Sequence, residues 1–120
     1  MAIRVKRIYE ASEAGDGMRI LVDRLWPRGI AKAKAQVDLW LKEIAPSDAL
    51  RKRFHAKPEL WVDFCATYAK ELQAEPAAAA VRELRRLARK GPVTLLYAAR
   101  DEEHNNAVAL KAWLTRRRAK

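Results

Sequence analysis

The chain has 120 residues, half of them hydrophobic and four of them Trp, a composition that suits one folded core and excludes a disordered polymer. No apolar run approaches the roughly 20 residues that span a bilayer, and the opening MAIRVKRIYE lacks the apolar centre of a signal peptide, so a cytoplasmic protein without a membrane partner is expected. One Cys and two His leave no internal disulfide and no metal-ligand cluster, while 25 Lys and Arg against 15 Asp and Glu give a net charge of +10.

Apolar and basic residues alternate from Ile3 to Ile8, which predicts a first strand. The polar connector EASEAGDG follows, with two glycines suited to a turn. From Arg19 to Trp26 a near-continuous apolar run predicts a strand buried on both faces, ended by Pro27 and Gly29. Residues 31–45 stay ambiguous: Val37, Leu39 and Leu41 alternate as in a strand, whereas Leu41 and Ile44 also permit a helical turn.

Helices dominate the middle of the chain. Pro46-Ser47 marks a helix entry, with Ser47 as cap, Asp48 at the positive end of the dipole, and Leu50 and Phe54 on one face. Pro58 suits the first turn of a second helix, whose stripe is Trp61, Phe64, Cys65, Tyr68 and Leu72. A third begins near Pro76, buries Ala77, Ala80, Val81, Leu84, Leu87 and Ala88, and stops at Gly91-Pro92. VTLLYA (93–98) is the strongest strand in the sequence. Asp101 is the expected cap of a last helix, with Glu102 and Glu103 in its first turn and Ala107, Leu110 and Leu114 facing inward.

Buried-type strands separated by helices predict a single α/β domain over residues 1–120, with a small, largely parallel sheet flanked by helices. In such a sheet ligands bind in the crevice outside the carboxyl ends of the strands. Two polar loops follow the two buried strands. The first offers Asp23, Arg24, Trp26, Arg28 and Lys32: forked donors for an anion, an indole to stack on a ring, and a carboxylate for proton handling. An internal Asp–Arg pair under a Trp lid would account for the same residues. The second offers Arg100, Asp101, His104, Asn105 and Asn106 beside helix-terminal amides. For Asp101 the alternative is the cap, and for His104 a solvated surface position. Cys65 lies on an apolar stripe and reads as a structural thiol. Trp40, Trp61 and Trp113 read as core or near-core residues.

Basicity concentrates elsewhere. Arg82, Arg85, Arg86, Arg89 and Lys90 stand against Glu83, and Arg116, Arg117, Arg118 and Lys120 crowd the tail, so these two segments carry eight of the ten excess charges. The four arginines at 82, 85, 86 and 89 share a helical face, which is either solvated or a nucleic-acid surface. No P-loop, dinucleotide fingerprint, nucleophile elbow or metal motif occurs, and no cofactor is expected.

Three runs, ILVDRLWPRG (20–29), LWLKEIAPSDALRKRF (39–54) and TLLYAARDEEHNNAVAL (94–110), together resemble the family called domain of unknown function 488, DUF488, and within it the short YeaO-like branch. The resemblance spans almost the whole chain and implies a compact α/β domain in a bacterial-type cytoplasmic protein, with no reaction attached. Other members are similar to LVDVRSFPRS at the first strand end, which Asp23 and Arg28 match, and to LLCAE…CHR at the second. There this chain departs: Tyr97 stands for the first Cys, and Asn105, Asn106 and Ala107 stand for Cys-His-Arg. Thiol chemistry does not transfer to it.

These readings converge on a small enzyme or binding domain for an anionic small molecule, a nucleotide among the candidates. Asp23 and Asp101 are the proton-handling candidates, and Arg24, Trp26, Arg28, Arg100, Asn105 and Asn106 the ligand contacts. The rival is a nucleic-acid-binding accessory protein using Arg82, Arg85, Arg86 and Arg89. A protein–protein adaptor is neither supported nor excluded.

Overall fold

The computed structural model describes residues 2–116; Arg117, Arg118 and Lys120 of the basic tail lie outside the described residues. Four strands, β1 (Ile3–Arg7), β2 (Met18–Leu21), β3 (Leu39–Trp40) and β4 (Val93–Tyr97), form one all-parallel sheet in the order β1-β4-β2-β3. Five α-helices accompany them: α1 (Lys32–Ala35), α2 (Asp48–Ala56), α3 (Trp61–Leu72), α4 (Ala77–Lys90) and α5 (Asn106–Thr115). The protein is α/β, as the strand-and-helix alternation predicts. Among the described residues no helix is long and apolar enough to cross a membrane.

The β2–β4 pair is the centre of the sheet. Met18, Arg19, Ile20 and Leu21 pair with Val93, Thr94, Leu95 and Leu96 in register, and Val22 extends the ladder through its N–H to the Leu96 carbonyl at 3.1 Å. Alternation then sorts the side chains. Ile20, Val22, Val93, Leu95 and Tyr97 join the main core with α2–α5, built around Phe64, Tyr68, Leu72, Leu84 and Leu110. Leu21 and Leu96 point the other way, into a small cluster with Ile8 and Ala35 under Trp26 and Trp40. One face is thus covered by four helices and the other thinly, by α1 and two indoles.

Arg19 and Thr94 also lie on the thin face, where a charge would be costly without partners. Asp16 and Arg19 are 1% and 4% exposed, and they meet at 2.7 Å. The rest of the Arg19 guanidinium donates to the Gln36 and Ala35 carbonyls, Lys6 Nζ reaches Asp16 at 3.1 Å, and Thr94 Oγ1 donates to the Asp16 carbonyl. Every buried side-chain polar atom among the described residues has a partner. Burial pushes the Asp16 carboxyl up, but the Glu13 amide, Arg19 and Lys6 outweigh it and hold it below the ordinary value.

Several sequence expectations need correcting. The second strand ends at Leu21 rather than near Trp26, because the Asp23 side chain, not a ladder carbonyl, accepts the next β4-side amide (Ala98), and Leu25 turns out into solvent, 65% exposed. Residues 31–45 contain both alternatives in sequence: α1, the two-residue strand β3, and a 3-10 turn over Lys42–Ile44. Asp101 does not cap α5. Asn105 does, its side chain accepting from Val108 N at 2.9 Å, so Glu102 and Glu103 precede the helix instead of entering its first turn. Ser47 caps α2 as its sequence suggests, accepting from Leu50 N at 3.2 Å.

Gly17 sets the start of β2. Its φ is +63°, and a Cβ there would fall 2.0 Å from the Pro92 carbonyl oxygen, a backbone atom that Met18 N uses to begin the β2–β4 ladder. Gly17→Ala is expected to destabilise the fold by more than about 2 kcal/mol in denaturant unfolding, because positive φ and a backbone clash act together. Asp16 governs acid stability. Since its folded-state pKa lies below the ordinary 3.8, its contribution is complete above that pH and is lost as pH falls through the folded value. Asp16→Asn should therefore flatten the acid limb of the stability–pH profile, and cost about 3–5 kcal/mol at neutral pH by leaving Arg19 charged and unpaired.

Candidate functional site

Beyond Leu21 and Tyr97 the two central strands part company. From β2 the chain heads toward β3 on one side; from β4 it passes into α5, which packs on β4 and β1 on the other. Divergence of neighbouring strand ends opens a crevice at the carboxyl edge of the sheet. That crevice is a cleft of about 750 Å³, and it is lined by residues of both polar loops, by the Ala45-Pro46 segment, and by α2 and α3.

Asp23 is the pivot of its floor. One carboxylate oxygen accepts from Ala98 N and the other from Asn106 Nδ2, each at 3.0 Å, and the Asn106 amide also donates to the Val22 carbonyl. The backbone carbonyl of Asp23 accepts from Trp40 Nε1 at 2.7 Å. Four segments of the chain are thereby tied at one residue. Burial pushes the Asp23 carboxyl above its usual value, against the donors on Asn106 and Ala98 and the charge of Arg51.

The cations around it differ in how they are held. Arg24 turns its guanidinium onto the Pro46 and Ala45 carbonyls, at 3.4 and 3.1 Å, and braces the first loop against the entry to α2. Arg28 is exposed at the rim; its carbonyl takes the Tyr9 hydroxyl, and among the described residues its guanidinium has no carboxylate partner. Arg100 is likewise exposed on the second loop. Arg51 reaches the cleft from α2 and, among the described residues, pairs only with Asp48, on its own helix, at 3.2 Å.

Trp26 lines the cleft yet is fixed within the fold, its Nε1 donating to the Ile30 carbonyl at 2.8 Å and its ring meeting Trp40 edge-on at 5.5 Å. Lys32 lies over the Trp26 ring and borders a smaller hollow near β3, outside the main cleft. Asn105 is buried and its side chain is spent, on Val108 N and on the Asp101 carbonyl. Asp101 accepts the Glu103 and His104 amides at 2.9 Å each, which hold its carboxyl below the usual range. His104 is half exposed, and its ring lies 4.8 Å from that of Trp61.

Sequence reasoning missed Arg51, Phe54 and His55. They sit at i, i+3 and i+4 on α2 and form one wall of the cleft, beside Pro58 and Phe64. Their helical spacing was visible; the docking of that helix across the strand ends was not. Cys65 is partly buried on the core side of α3, and burial raises its thiol pKa. Among the described residues no group of three His, Cys, Asp or Glu could hold a metal ion.

The α4 arginines meet a different fate. Arg82 pairs with Glu75 at 3.1 Å, Arg86 binds Glu83 through two bonds, and Arg85 packs over Trp113 and reaches the Leu114 carbonyl. Arg89 and Lys90 are exposed. Much of this face is therefore engaged within the protein.

Fold and cleft define an α/β protein with a largely apolar crevice, edged by arginines, at its strand ends. A family model described as the inactive DUF488-N3 subclade matches residues 2–120, and the chain belongs to this DUF488 family. It is similar to the uncharacterised protein YeaO of Escherichia coli, 45% identical over 114 residues that cover 95% of this chain and 97% of that protein. It is also similar to the uncharacterised proteins Rv3073c of Mycobacterium tuberculosis and Mb3100c of Mycobacterium bovis, each 40% identical over 115 residues, 96% of this chain and 95% of theirs. No solved structure matches the chain significantly.

Asp23→Ala leaves the Ala98 amide without its acceptor and the Asn106 side chain with the Val22 carbonyl alone, and should lower unfolding free energy by about 1–3 kcal/mol. Asn105→Ala removes the α5 cap and should cost about 1 kcal/mol. Chemical denaturation of both variants checks the two values, and an unchanged midpoint for Asp23→Ala would show that the clamp contributes nothing.

Proposed function

We propose that the cleft binds an anionic small molecule and that the protein acts by binding it rather than by turning it over. The observation that carries this reading is the cation set on one concave surface: Arg24, Arg28, Arg51 and Arg100 all line it, with Arg28 and Arg100 exposed and directed by two different loops. Guanidinium groups offer forked donors that match phosphate and carboxylate oxygens. The amino end of α5 adds its dipole from the floor, where Asn105 and Asn106 line the same cleft. A volume of about 750 Å³ suits a ligand of nucleotide size, within the usual range for small-molecule sites.

Binding without turnover fits the state of the two acidic candidates. Both Asp23 oxygens already accept fixed donors, and Asp101 is held ionised by two amides, which makes it a poor proton acceptor at neutral pH. Where the resemblance places Cys-His-Arg in other members, this chain uses Asn105 to cap α5 and Asn106 to grip Asp23. The description of the matching subclade as inactive points the same way.

A thermal-shift screen at physiological salt, with nucleoside phosphates, sugar phosphates, small carboxylates and short oligonucleotides, tests the reading. A small anion should stabilise the protein saturably, and Arg28→Ala should weaken its binding about tenfold or more while leaving the unliganded melting temperature unchanged, since a charge-assisted contact is worth about 1.5–3 kcal/mol. Arg89→Ala on α4 should leave binding intact. Stabilisation by oligonucleotides alone, lost in Arg89→Ala, would overturn the proposal and move function to the basic helix.

A further inference from the structure

The cleft is two-ended, and its ends differ in chemistry. On α2, Arg51 lies one turn closer to the helix start than Phe54 and His55, and all three line the cleft. At the start of α2 the Ala45-Pro46 segment carries the Arg24 guanidinium on its carbonyls, so two arginines mark this end. At the other end of α2 the lining turns aromatic and apolar: Phe54, His55, Pro58 and Phe64. This half is rigid. Phe54 packs on Phe64 with ring centroids 4.6 Å apart, Trp61 stacks on Phe64 at 5.6 Å and 14°, and His104 closes over Trp61 from the second loop.

We infer that the ligand is a ring-bearing anion of the nucleoside monophosphate class, its planar ring seated against Phe54 and His55 and its anionic group on the arginines. The inference rests on the anion-binding reading above and adds the ring seat to it. Aromatic faces hold planar rings by offset stacking at little entropic cost, and they do so whichever ring is offered. The phosphate end gives charge-assisted bonds but no preference for what the phosphate carries. Discrimination between a nucleotide and its bare sugar phosphate therefore falls to α2 and the turn at Pro58. A lone inorganic anion would leave most of the 750 Å³ unfilled.

Isothermal titration with adenosine 5′-monophosphate, ribose 5-phosphate and inorganic phosphate separates the two claims. The expected result is adenosine 5′-monophosphate binding at least tenfold more tightly than ribose 5-phosphate. His55→Ala, a change at an exposed position, and Phe54→Leu, which keeps an apolar side chain in the core contact, should each erase most of that difference. Binding of ribose 5-phosphate should be unaffected in both variants, and Arg28→Ala should weaken both organic ligands alike. If ribose 5-phosphate binds as tightly as the nucleotide in the parent protein, the ring seat is wrong and the anion site stands. If none of the three binds, the anion-binding reading fails and takes the ring seat with it. Should Phe54→Leu lower the melting temperature, His55→Ala alone decides the matter.

Discussion

The parallel pairing of β2 with β4 is the constraint from which the rest of the protein follows. The two strands come from opposite ends of the chain, about 75 residues apart in the register that joins Met18 to Val93, and both are buried on both faces. A backbone so placed must satisfy its amides and carbonyls from neighbouring strands, and β1 and β3 provide them at the two edges. Because the pair is parallel, its two exits lie at the same edge. The chain then leaves in opposite directions, and a crevice between the exits is unavoidable.

Each end of this pair carries a buried or half-buried aspartate, and the two behave in opposite ways for a physical reason. Asp16, at the entry to β2, has the cations Arg19 and Lys6 within hydrogen-bond distance and stays ionised below the ordinary carboxylate range. Asp23, at the exit, has amide donors but, among the described residues, no cation within hydrogen-bond distance, so desolvation outweighs them and raises its carboxyl pKa above the usual value. The first is a structural ion pair that lets Arg19 and Thr94 occupy a sheet face otherwise shared with Leu21 and Leu96. The second turns its two carboxylate oxygens onto the Ala98 amide and the Asn106 side chain and so fixes the floor of the cleft.

Much of the site was legible because it is local. Asp23, Arg24, Trp26 and Arg28 lie within seven residues of the end of β2 at Leu21, and Pro27 and Gly29 announce the loop that carries them. The second loop was legible for the same reason, after the strand Val93–Tyr97. Detail within the loops was not. Asp101 and Asn105 are both good cap residues four positions apart, and only the packing of Ala107 and Leu110 into the core decides that the helix begins at the second of them. Likewise the ambiguity of residues 31–45 was real: β3 exists only for as long as Leu39 and Trp40 can pair with Ile20 and Leu21.

By itself the sequence determined the class of fold, the order of its main elements and the two loops that bear its polar residues, because strand and helix periodicity and the punctuation of Pro and Gly act over a few residues. Tertiary structure alone decided which side chains face one another across the cleft. Arg82 and Arg86 are held by near neighbours in the chain, Glu75 and Glu83, whereas Arg51 looks like a solvated helix residue until α2 is laid across the strand ends. Which side chains share the cleft depends on bringing together segments far apart in the chain, 23–28, 45–58 and 98–106, and periodicity over a few residues does not encode that.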